Sequence, residues 1–174
     1  MSYLTEAGLI RLASSVVAFE YKSNIKSDTR FASISIFLSH SHKDRLLVQG
    51  LINHFAHFGI SIYVDWQDSN MPRVTSRETA KNIKEKIDEL DYFFILATQN
   101  AMVSRWVPWE IGIADSKKQI DKIVLIPVRD QGGYFYGNEY LQLYQTIELS
   151  TNNILAVFPP AEMRGTSLSS WLFR

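Results

Sequence analysis

Hydrophobic positions along this chain gather into short apolar runs, separated by longer stretches with helical spacing. Ile34-Ser35-Ile36-Phe37-Leu38, Ile60-Ser61-Ile62-Tyr63-Val64, Tyr92-Phe93-Phe94-Ile95-Leu96-Ala97 and Lys122-Ile123-Val124-Leu125-Ile126-Pro127-Val128 read as strands, with a weaker fifth over residues 145–149. The continuous run at residues 92–97 suits a strand buried on both faces, whereas residues 60–64 alternate. Between the first two strands, Leu47, Leu51, Phe55 and Phe58 mark one side of a helix that Gly59 can end. Thr75 and Glu78 have capping-box spacing ahead of a helix whose apolar face carries Ile83 and Ile87. After the third strand, Ser104 can cap a helix that tolerates Pro108 within its first turn and places Glu110 early. Residues 168–173 suit a short closing helix.

Strands alternating with helices imply parallel pairing through right-handed crossovers. The expected fold class is α/β: a flavodoxin-like three-layer sandwich around a central, mostly parallel five-stranded sheet. Ahead of it, Leu9, Leu12, Val16 and Phe19 form a helical stripe, and residues 22–30 are polar. The chain therefore divides into an N-terminal helical extension and linker, 1–30, and a main domain, 31–174.

Composition narrows the function. With 18 basic and 18 acidic residues there is no net field to draw nucleic acid or an anionic membrane. No cysteine is present, which removes disulfides, thiol nucleophiles and thiolate metal sites. No apolar run approaches the roughly 20 residues of a membrane span, and the start lacks the basic and apolar blocks of a secretory leader. A cytoplasmic location is the expectation. His40 with His42, and His54 with His57, have the spacing of metal-binding pairs but lack a third ligand, so no metal is expected.

In a parallel sheet every loop after a strand opens on the same edge. The loops at residues 39–44, 65–74 and 98–106 therefore converge, with Glu110 just behind the last. They bring Ser39, His40, Asp65, Trp66 and Trp106 towards one carboxylate. Trp109 lies on a different helix face and is assigned to the core. Neither Gly-x-Gly-x-x-Gly nor a Walker loop occurs, so the two common phosphate cradles are missing. One carboxylate with aromatic walls suits cleavage of a ribose from a positively charged base. Oxidised NAD releases neutral nicotinamide without a general acid, unlike the alcohol of ordinary glycoside hydrolysis.

Residues 37–44, Phe-Leu-Ser-His-Ser-His-Lys-Asp, resemble the first box of the Toll/interleukin-1 receptor (TIR) family, where a strand runs into a Ser-aromatic-Ser-x-x-Asp loop. Residues 105–111, Arg-Trp-Val-Pro-Trp-Glu-Ile, resemble the family's Trp-x-x-x-Glu segment, and residues 65–74 stand where it has its BB loop. The resemblance covers about residues 31–150. It implies that Glu110 is the catalytic carboxylate of an NAD+ nucleosidase or cyclase, giving ADP-ribose or a cyclic ADP-ribose. Ser39 and His40 would then line the ribose and nicotinamide side, Asp65 and Trp66 would flank the substrate, and Trp106 would support Glu110. NAD+ would be the substrate, with no cofactor. Self-association through TIR–TIR contacts and a downstream effector that senses the product are also implied. A standalone TIR of this size resembles bacterial proteins of Thoeris-type antiphage defence.

The chain departs from the family's pattern in three places. His40 replaces the usual aromatic residue, Pro72 lacks the glycine that follows it in many receptor TIRs, and Trp171 with Phe173 only loosely echoes the last box. Two other readings stay open at this point. One is a non-catalytic TIR scaffold, for which the loop at residues 65–74 would matter and Glu110 would not. The other is an enzyme resembling nucleoside deoxyribosyltransferases, acting through a covalent glycosyl intermediate.

Overall fold

The structure, a computed structural model, describes residues 2–14, 34–56, 60–68, 76–137, 139–152 and 154–173. In chain order the elements are β1 (Leu4–Thr5), α1 (Glu6–Ala13), β2 (Ser35–Ser39), α2 (Arg45–Ala56), β3 (Ser61–Tyr63), α3 (Arg77–Glu89), β4 (Tyr92–Ala97), α4 (Gln99–Met102), α5 (Val107–Lys117), β5 (Ile123–Arg129), β6 (Gln145–Leu149), β7 (Leu155–Phe158), β8 (Thr166–Ser167) and α6 (Leu168–Leu172). Short 3-10 turns at His42–Asp44 and Asp65–Gln67 follow β2 and β3.

The sheet runs β3-β2-β4-β5-β6-β7-β8, and its first five strands are all parallel. Counted from β2, that is the doubly wound order 2-1-3-4-5, with its topological switch between β2 and β4. The crevice beyond the carboxyl ends of those two strands is where such a sheet binds ligands. Alternation along each strand feeds two separate cores. Ile36, Leu38, Phe94, Leu96, Val124 and Ile126 pack under α1, α2 and α6. Phe37, Phe93, Ile95, Ala97, Ile123 and Leu125 pack under α3, α4 and α5. Both faces are covered, as the unbroken apolar run at residues 92–97 predicts.

The sheet has eight strands where the sequence predicts five. β7 and β8 extend it by antiparallel pairing beyond β6. β1 lies parallel along the carboxyl-terminal part of β5, with Leu4 opposite Val128, while β6 pairs with the earlier part at Val124 and Leu125. Strands of two residues exist only through such pairing and leave no periodic trace in sequence.

The N-terminal helix is fastened to the domain. At Gly50 of α2 an added Cβ would sit 1.9 Å from the Leu9 carbonyl oxygen, so only glycine admits α1 this closely. Buried Asn53 donates its side-chain amide to the Leu12 carbonyl at 3.0 Å, satisfying an acceptor at the end of α1. Val16, Phe19, His57, Phe58, Gly59, Pro72 and Thr75 lie outside the described residues. The described cap of α3 is Ser76, whose hydroxyl accepts from the Thr79 N–H at 3.1 Å. Among the described residues no helix is long and apolar enough to cross a membrane.

Candidate active site

Helix α5 begins at Val107 with Trp106 at its N-cap position; Ser104, expected to cap it, lies two residues earlier, and its hydroxyl accepts from the N–H groups of Trp106 and Val107. Pro108 falls in the first turn, where its missing N–H costs no hydrogen bond. Glu110 stands in that same turn and is only 7% exposed. Its carboxyl group reaches the carboxyl end of β2, where the Ser39 hydroxyl donates to Oε2 at 2.5 Å. Two segments 71 residues apart thus meet at the switch point.

Burial pushes the Glu110 carboxyl up to about 8; the Ser39 hydrogen bond favours the anion, and the negative field of Asp65 opposes it. The resting carboxyl is therefore largely protonated at neutral pH. A positive charge brought alongside would ionise it, because an unpaired anion is costly in so dry a place.

His40 follows Ser39 and is also buried. Its Nδ1 lies 2.9 Å from the Leu38 carbonyl oxygen, and its Nε2 accepts from the Trp66 indole N–H at 3.0 Å. Trp66 is the middle residue of the 3-10 turn after β3, and its backbone N–H donates to Asp65 Oδ1 at 2.8 Å. The Arg45 guanidinium lies 5.3 Å from the centre of the Trp66 ring. Asp65 faces both histidines, 3.9 Å from His40 Nε2 and 3.7 Å from His42 Nε2. Burial holds His40 below the usual histidine range, opposed by its bond to Leu38 and by the Asp65 carboxylate.

Of the residues singled out from sequence, Ser39, His40, Asp65, Trp66 and Glu110 are joined by direct contacts or by the chain itself. Trp106 is placed differently. Its carbonyl accepts the Glu110 N–H at 2.9 Å, but its indole stacks edge-to-face on Trp109 at 5.2 Å, against the core beneath α3 and α5. Trp66 packs against the opposite core. The expected aromatic wall thus has Trp66 on one side, while Trp106 supports Glu110 through the backbone. Trp109 is a packing residue, as expected.

One organising residue escaped the list of candidate site residues. Asp44, the last position of the first box, is 3% exposed and accepts from Thr98 Oγ1 at 2.5 Å and from Asn100 Nδ2 at 2.6 Å. It ties the loop after β2 to the loop after β4 across the crevice. The motif contains the residue, but sequence gives no hint of its partners. Among the described residues no group of three or more His, Cys, Asp or Glu side chains is arranged to hold a metal ion.

A family model described as the TIR domain matches residues 36–156, well over half of the chain. The chain belongs to the TIR domain family. The matched span runs from β2 into β7 and contains every site residue discussed above. A Bacillus cereus (strain MSX-D12) protein provisionally named a 3' cyclic ADP-D-ribose synthase, ThsB', is 37% identical over 120 residues. That alignment covers 67% of this chain and 61% of the relative. A Cytobacillus dafuensis protein provisionally named a cyclic ADP-D-ribose synthase, TIR2, is 33% identical over 79 residues, 44% of this chain and 21% of that protein. This TIR chain therefore aligns with less than two thirds of the length of each relative.

Proposed function

We propose that this TIR domain cleaves the nicotinamide–ribose bond of NAD+ and passes the ribosyl carbon to an internal hydroxyl, making a cyclic ADP-ribose. The observation that carries the reading is the buried Glu110 carboxyl, fixed by Ser39 at the carboxyl edge beside the sheet's switch point. The names of the two relatives support the same chemistry.

The step needs little from the protein beyond position and charge. The C1'–N bond breaks, and its electron pair returns to the pyridinium ring, which leaves as neutral nicotinamide. Positive charge then develops on the ribose, where Glu110 as an anion stabilises it. A hydroxyl of the same nucleotide attacks C1' and gives its proton to solvent, closing the ring; attack by water instead gives ADP-ribose. The pyridinium also favours ionisation of Glu110, so the substrate converts the resting acid into the working anion. Ser39, already on Oε2, orients the carboxylate, while His40, Asp65 and Trp66 form the facing wall.

Self-association through TIR–TIR contacts, and a downstream protein that senses the cyclic nucleotide in antiphage defence, complete the proposal. The experiment is chromatography of NAD+ incubated with the purified chain, with and without a crowding agent to drive assembly. Nicotinamide released together with a cyclic product supports the reading. NAD+ left intact under both conditions would instead favour the non-catalytic scaffold.

A further inference from the structure

His40 stands where the family's first box usually carries an aromatic residue, and both of its ring nitrogens are committed. An indole N–H can only donate, so the nitrogen that meets Trp66, Nε2, must carry the lone pair. A carbonyl oxygen can only accept, so the nitrogen that meets Leu38, Nδ1, must carry the proton. Two independent contacts thus fix a single neutral tautomer. A protonated ring would present N–H groups on both sides and set one of them against the Trp66 N–H.

An alternative acceptor is already in place. Asp65 Oδ1 lies 3.9 Å from the same Nε2, too far for a hydrogen bond but close enough to attract an imidazolium. The charged and titratable groups around His40 are Asp65 from the turn after β3, His42 and Asp44 from its own loop, Arg45 at the start of α2 above Trp66, and Glu110 from α5 through Ser39. The two aspartates favour protonation, whereas burial and His42 oppose it.

We propose that His40 is a positioning residue that clamps Trp66 to the end of β2 while neutral, and that acid opens the clamp by transferring His40 Nε2 from the indole to Asp65. Because His40 adjoins Ser39, the clamp sets the distance between Trp66 and Glu110 across the site. Its effect on catalysis rests on the NAD-cleaving reading, but the clamp itself does not.

The test is nitrogen-15 NMR of the histidine rings and indole N–H groups of the full chain, titrated from neutral pH into acid. The Trp66 resonance is assigned by its loss in Trp66→Phe. At neutral pH His40 Nε2 is expected at the shift of an unprotonated ring nitrogen, with the Trp66 N–H protected from exchange. Both should change together in acid, below the ordinary histidine range. His40→Phe should expose the Trp66 N–H to exchange and raise KM for NAD+ about tenfold with kcat little changed. His40→Gln, whose amide oxygen can accept from the indole, should restore protection and remove the acid transition.

A proton on Nε2 at neutral pH, or a Trp66 N–H indifferent to His40→Phe, would overturn the clamp. An unchanged KM in an active His40→Phe protein would overturn its positioning role. Should the wild-type chain release no nicotinamide while the resonances behave as described, the clamp stands and the NAD-cleaving reading fails.

Discussion

The Ser39 hydroxyl sits 2.5 Å from Glu110 Oε2, and this one hydrogen bond joins the end of β2 to the first turn of α5. It leaves a carboxyl group that is buried, singly hydrogen-bonded by a neutral donor and facing the negative field of Asp65. A group so placed resists ionisation, and both activity and stability should record it.

For activity, kcat/KM for NAD+ should rise with pH and level off near the free-enzyme value of the carboxyl, about 8. The kcat profile should level off at lower pH, because the bound pyridinium favours the anion. Steady-state rates across the neutral and alkaline range check this. A kcat/KM that is flat from pH 6 to pH 9 would contradict it.

For stability, the sign is opposite to that of a salt-bridged carboxylate. The ordinary value is 4.5 and the folded value about 8, so between them the folded state holds a proton that the unfolded state has lost. Glu110 therefore costs stability progressively as pH rises through that window, and the full cost remains above it. Glu110→Gln, which mimics the protonated group, should be about as stable as the parent at pH 4. Above pH 8 it should be more stable by about 2–4 kcal/mol, measured by urea denaturation.

Asp44 is the second buried carboxylate of the site, with Thr98 and Asn100 both donating to it. Asp44→Ala leaves the buried Thr98 hydroxyl and the half-buried Asn100 amide without their acceptor and should cost about 1–3 kcal/mol. The Asp44→Ala, Thr98→Val double variant should recover part of that loss, because it removes one of the stranded donors. Denaturation of the two single variants and the double variant measures the coupling.

Much of this was legible from pattern alone. Tyr92–Ala97 and Gln145–Leu149 have the bounds that their apolar runs and alternation predict. The parallel pairing expected from alternating strands and helices brought Ser39, Asp65 and Glu110 to one edge, whereas the order of the strands came from the structure. β1, β7 and β8 were not legible. β1 and β8 are two residues each, and β7 is a four-residue run ending at Pro159-Pro160, stabilised mainly by antiparallel pairing with β6. Side-chain direction was the other loss. Helical spacing placed Trp106 one turn before Glu110, but its half-buried indole packs on Trp109 against the edge of the core. His40 was legible as a departure from its motif, whereas its tautomer emerged only once Trp66 and Leu38 were seen at its two nitrogens.

The most direct test of the central claim is nicotinamide release by Glu110→Gln compared with the parent chain, at equal concentration and in an assembly-promoting buffer. The substitution keeps the size and much of the hydrogen-bonding capacity of the side chain but can never supply the anion. The account predicts a loss of at least about a hundredfold in rate, in a protein that remains folded. Release at the parental rate would contradict it and leave Glu110 as a packing residue.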